Sequence, residues 1–341
     1  MDNADICKIL VENNATLSPM DGEQMTPVAR TMERGAQKSA QYLLQIAEQK
    51  QGSVDDLMYN VDIDGSSLLH LAVNSGVLGV VEICVKYGVR IRQPRGVDKV
   101  TAFHMACEQG SMSIVQYLTS KDSAVCRITL VDHRGRTPLH MAARKNHAHV
   151  VEFLLENGAA LGPKDDERRS PLFTAANFGA DSVVKLLMER GADVTIRDTN
   201  LKSVLHAAVG DFKSMEALLQ VKVVMSPTAA ALITEKDVDG FSPVHYAAKR
   251  GDLKNTKLFV AKNRASSSVL SNTLDTPIHV ASRYGWTDIV ELLMDNQNVK
   301  IINLRNSQGK TALHFACAEG HDYTAEALLR MGAMMDRYWH K

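Results

Sequence analysis

The stretch Arg136–Ala159, RTPLHMAARKNHAHVVEFLLENGA, decides the fold. Thr137 suits an N-cap, because its hydroxyl can accept from a free backbone N–H of the next turn. Pro138 then falls at the first helical position, where its fixed φ helps and its missing N–H costs nothing. Leu139 and Met141 are apolar, and Ala142 and Ala143 keep one face thin enough for another helix to come close. After a break at Lys145–His147, residues Val150, Val151, Leu154 and Leu155 set an apolar stripe on a second helix. Gly158 suits the left-handed residue that ends it. Such a unit cannot bury its own apolar faces, so it requires neighbours.

The neighbours are written along the chain. The tetrapeptide recurs as SLLH at Ser67–His70, TAFH at Thr101–His104, TPLH at Thr137–His140 and SPLF at Ser170–Phe173. It continues as SVLH (Ser203–His206), SPVH (Ser242–His245), TPIH (Thr276–His279) and TALH (Thr311–His314). Fourth positions are spaced by 34, 36, 33, 33, 39, 34 and 35 residues. A weaker copy, TPVA at Thr26–Ala29, lies 41 residues before the first. The expected organisation is a partial repeat over 1–17, a degenerate one over 22–60, and eight repeats over 61–341. The 39-residue gap marks an insertion at about 221–236, expected as a long loop with a short helix around Thr228–Ile233 and a hinge between its neighbours. Neither end carries the polar outer face of a terminal repeat, which suggests a piece of a longer protein.

This pattern resembles ankyrin repeats, whose signature is close to G-x-TPLHxAAxxGHxxVVxxLLxxGAD. Gly135, Thr137–His140, Ala142–Ala143, Val150–Val151, Leu154–Leu155 and Gly158–Ala159 match it, as do Gly191–Asp193, Gly240 with Ser242–His245, and Gly309 with Thr311–His314. The resemblance implies an all-α fold, an ankyrin-repeat solenoid of stacked helix-turn-helix pairs with β-hairpin fingers.

Composition narrows the partners. Thirty-nine basic and 39 acidic residues leave no net charge, so no electrostatic footprint for nucleic acid or an acidic membrane is present. No apolar run approaches the ~18 residues of a membrane helix, and MDNADICKIL lacks the layout of a secretory signal. Five cysteines without a CxxC pair point away from zinc and disulfides. Cys7, Cys84, Cys107 and Cys317 occupy apolar slots of the repeat and read as core. Cys126, in a loop beside Arg127, is the candidate exposed thiol.

Twelve histidines invite a metal or acid–base reading. Seven of them, at 70, 104, 140, 206, 245, 279 and 314, fill the fourth tetrapeptide position, where a structural role is expected. Gln308–Thr311, QGKT, mimics the end of a phosphate-binding loop, but the required first glycine is Leu304. No nucleophile elbow, HExxH or dinucleotide fingerprint occurs, so no catalytic, cofactor or metal residues are assigned and no enzyme is expected. Recognition is the alternative. Arg92 and Arg95 lie in a basic finger, Arg90–Lys99. Arg144, Lys145, Phe178, Lys249, Arg250 and Tyr284 follow the Ala-Ala pair, on the side expected to be concave. Phe212 and Trp286 replace a polar residue of the helix–helix turn and are candidate anchors.

A second resemblance is to the transient receptor potential channels of the ankyrin subtype. PRGVDKVTAFHMACEQGSMSIVQYL (Pro94–Leu118), ITEKDVDGFSPVHYAAKRG (Ile233–Gly251) and NSQGKTALHFACAEGH (Asn306–His321) carry it. It implies a homotetrameric, calcium-permeable, non-selective cation channel of the cell membrane, opened by noxious chemicals or temperature. The chain would be part of its cytoplasmic array, partnered by other channel subunits and cytosolic proteins, without membrane contact of its own. A soluble ankyrin adaptor that binds a protein on its concave face is the rival reading, and an array attached to an enzyme a further one.

Overall fold

In the computed structural model, residues 2–51, 54–58, 61–121, 128–220, 229–263, 267–294 and 301–334 are described. The fold is all-α, and the chain forms two compact units, Met1–Asp166 and Glu167–Lys341. The first unit opens with a single helix, Ala4–Glu12, followed by Pro27–Glu33 and Gln37–Gln51, the short helix Asp55–Met58, and three helix pairs. These pairs are Leu68–Asn74 with Leu78–Lys86, Ala102–Gln109 with Met112–Lys121, and Pro138–Arg144 with Ala148–Glu156. The second unit holds Pro171–Asn177 with Asp181–Glu189, Val204–Ala208 with Phe212–Gln220, Pro243–Arg250 with Leu253–Lys262, Pro277–Arg283 with Thr287–Met294, and Ala312–Ala318 with Asp322–Arg330.

Every first helix starts on the Ser or Thr of the tetrapeptide. Thr101 Oγ1 accepts the His104 N–H, and Thr276 Oγ1 that of His279. Within each unit, first helices stack on first helices and second on second, as Ala102–Gln109 does on Pro138–Arg144 and Leu78–Lys86 on Met112–Lys121. The core is the seam between these rows. Leu139, Ala142, Val150, Val151 and Leu154 are buried there, as are Leu172, Val183, Val184 and Leu187 in the second unit. Leu155, expected at this seam, is only half-buried. Leu154 takes the inward place, in register with Val150 and Val151 on the same face, and Leu155 turns to the flank.

Between pairs the chain makes tight turns rather than hairpins. Among the described residues no strand forms, only isolated bridges at Val61–Ser67 and Pro94–Thr101. The reason is an aspartate or asparagine five residues before the cap. Asp132 Oδ1 accepts the N–H of Arg134 and Arg136, both at 2.9 Å, taking donors that a ladder would need. Asp62, Asp198, Asp237 and Asn306 do the same. Two residues before each cap the backbone is left-handed, whether the residue is Gly135 (φ 71), Lys99 (φ 53), Leu201 (φ 59) or Leu274 (φ 60). Successive turns are joined by single backbone bonds, such as His133 N–H to Asp98 O at 2.9 Å in the first unit and Val238 N–H to Asn200 O at 3.0 Å in the second.

Residues 221–228 of the insertion lie outside the described residues, whereas 229–236 are held against the fold. The helix Ala229–Ile233 packs on Leu253–Lys262, with Leu232 and Ile233 buried. Arg197 Nη2 then lies 2.6 Å from Glu235 Oε1. Burial pushes the Glu235 carboxyl up, with Arg197 opposing. The loose connection expected across 221–236 therefore does not extend to residues 229–236.

Two leucines in one repeat test the seam. Leu139→Ala should cost about 3 kcal/mol, because its void is walled by two stacked helices. Leu155→Ala, at a half-exposed site, should cost well under half of that. Urea unfolding of the two variants measures this, and equal losses would place Leu155 in the core.

Candidate functional site

The tetrapeptide histidines are the most elaborate polar sites in the protein. In each, Nδ1 accepts the backbone N–H of the capping Ser or Thr, at 3.1 Å from Ser67 to His70 and 3.1 Å from Ser242 to His245. With Nδ1 an acceptor, the proton sits on Nε2. That Nε2–H donates forward to the next turn: His70 to Val100 O at 3.0 Å, His206 to Phe241 O at 2.9 Å, and His245 to Asp275 O at 3.0 Å. His104 reaches the carbonyls of Leu130 and Arg136, and His279 those of Leu304 and Lys310. One ring thus closes its own helix start and clamps the following repeat. These imidazoles are structural, and among the described residues no cluster able to hold a metal forms.

Burial keeps them neutral. It holds the pKa of His70, His206 and His245 down at about 4, and lowers those of His104 and His279.

A second histidine position lies in the turn between helices of a pair. His147 Nε2 donates to Glu108 O at 2.9 Å, and His321 Nε2 to Arg283 O at 3.0 Å. Trp286 occupies that slot, and its indole N–H donates to Lys249 O at 3.3 Å. Its ring lies on Gly251, where an added Cβ would be 2.7 Å away. Even so, Trp286 remains 42% exposed. Phe212 does not fill the equivalent slot. Its first helix ends early, at Ala208, so Asp211 comes into the turn and caps the next helix through Ser214 N–H at 2.9 Å. Phe212 begins that helix, partly exposed.

The remaining candidates divide between the units. In the first, Arg95, Arg144 and Lys145 line one groove of about 530 Å³ with Met105, Glu108, His133, Arg136 and Met141. Its charges are largely committed. Arg95 is paired with Asp98 of its own turn. Arg136 Nη2 is 2.6 Å from Asp132 Oδ2, and Arg144 Nη1 is 3.8 Å from Glu108 Oε1. Burial raises the pKa of Asp132, but the Arg136 guanidinium and two backbone N–H groups carry it below the usual range. Arg92 and Lys145 are exposed. In the second unit, Phe178 and Tyr284 sit exposed at the C-terminal ends of first helices. Lys249 and Arg250 are both exposed, and one nitrogen of the Arg250 guanidinium donates to the Val209 carbonyl.

Cys84 and Cys107 are buried, and burial pushes the Cys84 thiol up to about 12 and that of Cys107 upward. Cys317, expected in the core, is exposed. Cys107 fills the same slot but is covered by the Pro138–Arg144 helix, and among the described residues no helix follows to cover Cys317. Cys126 lies outside the described residues. The turn aspartates were missed by sequence reasoning, although their signal was visible: Asp or Asn stands five residues before Ser67, Thr137, Ser170, Ser203, Ser242 and Thr311.

Stacked capped helix pairs, a histidine clamp and a left-handed turn residue define a class. The pattern described as ankyrin repeats (3 copies) matches residues 46–129, 123–198 and 244–337, and the chain belongs to the ankyrin-repeat family. The crystal structure of the human ASB11 ankyrin repeat domain superposes with a TM-score of 0.58 at 27% identity, covering 70% of this chain and all of that one. The transient receptor potential cation channel subfamily A member 1 of Drosophila melanogaster is 30% identical over 319 residues, 91% of this chain and 26% of that protein. Its Homo sapiens counterpart is 28% identical over 335 residues, 98% of this chain and 30% of that protein. Alpha-latroinsectotoxin-Lt1a of Latrodectus tredecimguttatus is 27% identical over 290 residues, 82% of this chain and 20% of the toxin. The chain thus spans between a quarter and a third of the channels it resembles.

The histidine clamps make stability depend on pH with a definite sign. A pKa held below that of the unfolded chain means that the unfolded state takes protons first as pH falls. Stability is full above about 6.5 and is lost as pH drops towards about 4. Each clamp is worth on the order of 3 kcal/mol over that window. The three together are comparable with the whole stability of an ordinary domain, so the fold should weaken strongly as pH approaches 4. Urea midpoints between pH 8 and 4.5 should fall steadily below 6.5, and less steeply in His245→Gln. A flat profile would contradict the clamp.

Proposed function

We propose that this chain is the ankyrin-repeat region of a cation channel of the ankyrin-subtype transient receptor potential class. The observation that carries the reading is its collinear similarity to the fly and human channels over 91% and 98% of its length. In this reading residues 1–17 are a partial repeat, 22–60 a degenerate one, and 61–341 eight repeats with an insertion at about 221–236. The whole protein would be a calcium-permeable, non-selective homotetramer of the cell membrane, with this region on the cytoplasmic side as a sensing and protein-interaction scaffold. Among the described residues no helix is long and apolar enough to cross a membrane, so the pore would be supplied by other parts of the protein.

No enzymatic role is proposed. Ankyrin repeats and the channel relatives are non-enzymatic families, and the buried histidines are occupied as clamps. The candidate recognition residues are those left exposed: Arg92, Lys145, Phe178, Phe212, Lys249, Arg250, Tyr284 and Trp286, with Arg144 partly so. Arg95 is proposed as a support for that surface, since its guanidinium is paired with Asp98 within the fold.

The soluble adaptor is the competing reading, and one experiment separates the two. The full-length product should be expressed in cells, fractionated with an antibody to residues 61–341, and assayed for calcium entry and whole-cell current. We expect recovery with integral membrane protein and a stimulus-evoked current that is absent from untransfected cells. Recovery in the soluble fraction, with no current, would replace the channel by the adaptor.

A further inference from the structure

The turns differ in what stands at the second oxygen of their aspartate. Asp132, Asp165, Asp198 and Asn306, each five residues before a cap, are followed four residues on by Arg136, Arg169, Lys202 and Lys310. In the first of these turns the Arg136 guanidinium lies 2.6 Å from Asp132 Oδ2. The Asp237 turn has no such cation, but the Tyr246 hydroxyl donates to Asp237 Oδ2 at 2.8 Å. The Asp62 turn has neither. Its residue four positions on is Ser66. Asp62 Oδ1 accepts the N–H groups of Asp64 and Ser66 at 3.0 and 2.7 Å, and among the described residues no donor reaches Oδ2. Asp62 is only 9% exposed, and a buried carboxylate oxygen without a donor is costly.

Asp62 lines a cavity of about 340 Å³ in the first unit, together with Glu23, Glu33 and Asp64. The charges there do not cancel. Arg30 alone serves three carboxylates, with Asp21 and Glu23 at 2.7 Å and Glu33 at 3.0 Å. Arg34 is 3.9 Å from Glu33, and Arg95 is paired with Asp98. With these partners included, Asp21, Glu23, Glu33, Asp62, Asp64 and Asp98 stand against Arg30, Arg34 and Arg95, six acids to three bases. His70, also at the cavity, is kept neutral by its burial.

We propose that this cavity receives an arginine side chain from a protein segment, whose guanidinium completes the Asp62 turn as Arg136 completes the Asp132 turn. A planar fork can meet several carboxylates at once, whereas an ammonium meets them as a point charge. Met25, Leu71 and Met105 wall the cavity and cover the methylene stem. The cavity shares Asn74, Arg95 and Met105 with the groove of about 530 Å³ beside it. It therefore opens on a trough that a peptide chain can follow and a small cation cannot use. The site would serve a channel or an adaptor alike, so its failure would leave the channel reading standing.

Methyl NMR on the whole chain with labelled methionines provides the test. Met25 and Met105 wall the cavity, whereas Met188 and Met294 lie in the second unit. The probe is a capped alanine–serine peptide with one central arginine. The same peptide with citrulline, the neutral isostere, is the charge control, and arginine amide and spermidine are the small cations. The arginine peptide should shift the Met25 and Met105 signals and leave those of Met188 and Met294 in place. The citrulline peptide should not bind, and both small cations should bind several-fold more weakly. Asp62→Asn keeps the turn, since Asn306 builds the same one, and should weaken binding by about tenfold or more. Ser66→Arg supplies the guanidinium from within and should abolish binding. The proposal is overturned by unmoved Met25 and Met105 signals, by equal binding of the citrulline peptide, or by small cations that bind as tightly as the arginine peptide. Unchanged affinity in Asp62→Asn or Ser66→Arg overturns it as well.

Discussion

A repeat of two short helices has no interior, and the bond that gives it one is the two-ended imidazole of the tetrapeptide. Nδ1 accepts the N–H of the capping Ser or Thr, which fixes the tautomer and leaves Nε2–H pointing forward. His245 shows both ends, with Ser242 N–H on one side and the Asp275 carbonyl on the other. Starting a helix and registering the next repeat are therefore one interaction. A buried carbonyl left without its donor would cost on the order of 1–3 kcal/mol, so a repeat that slips in register loses its helix start and its neighbour together. Apolar burial supplies most of the stabilisation, but it is non-directional and could not choose the register.

The turns depend on that register. Once the helices are stacked, neighbouring turns within a unit lie side by side, and a single backbone bond such as Asn272 N–H to Asp239 O at 3.0 Å joins them. The aspartate oxygens accept the N–H groups inside the turn. Few donors remain for a wider ladder, and each turn is left as a short, stiff projection. Because contacts run only between neighbours, a change in one repeat is felt mainly by the next.

The buried tetrapeptide histidines and the Oδ1 atoms of the turn aspartates are consumed by caps, clamps and turns. What lies open is broad surface: the groove lined in part by Met105 and Met141, the exposed aromatic rings of the second unit, and exposed turn residues of the first. Similarity to two cation channels runs over nearly the whole chain.

The helix pairs, their caps and the stacking faces were legible in the sequence, because each rests on local chemistry repeated at a fixed period. The Thr137 and Leu139 positions hold a Ser or Thr cap and an apolar residue in all eight clear copies. The turn aspartates were equally legible in principle, standing five residues before the cap. What only the tertiary structure decided is which side chains are used up. Arg95 and Arg250 look like free cations in the sequence, yet one pairs with Asp98 and the other bonds the Val209 carbonyl 41 residues away. Cys107 and Cys317 share a repeat position, but burial depends on whether another helix lies over them. Phe212 lost its expected place to Asp211 because one helix ended a residue early. Periodicity encodes what a residue does for its own repeat; exposure and pairing depend on what the neighbouring repeat brings within reach.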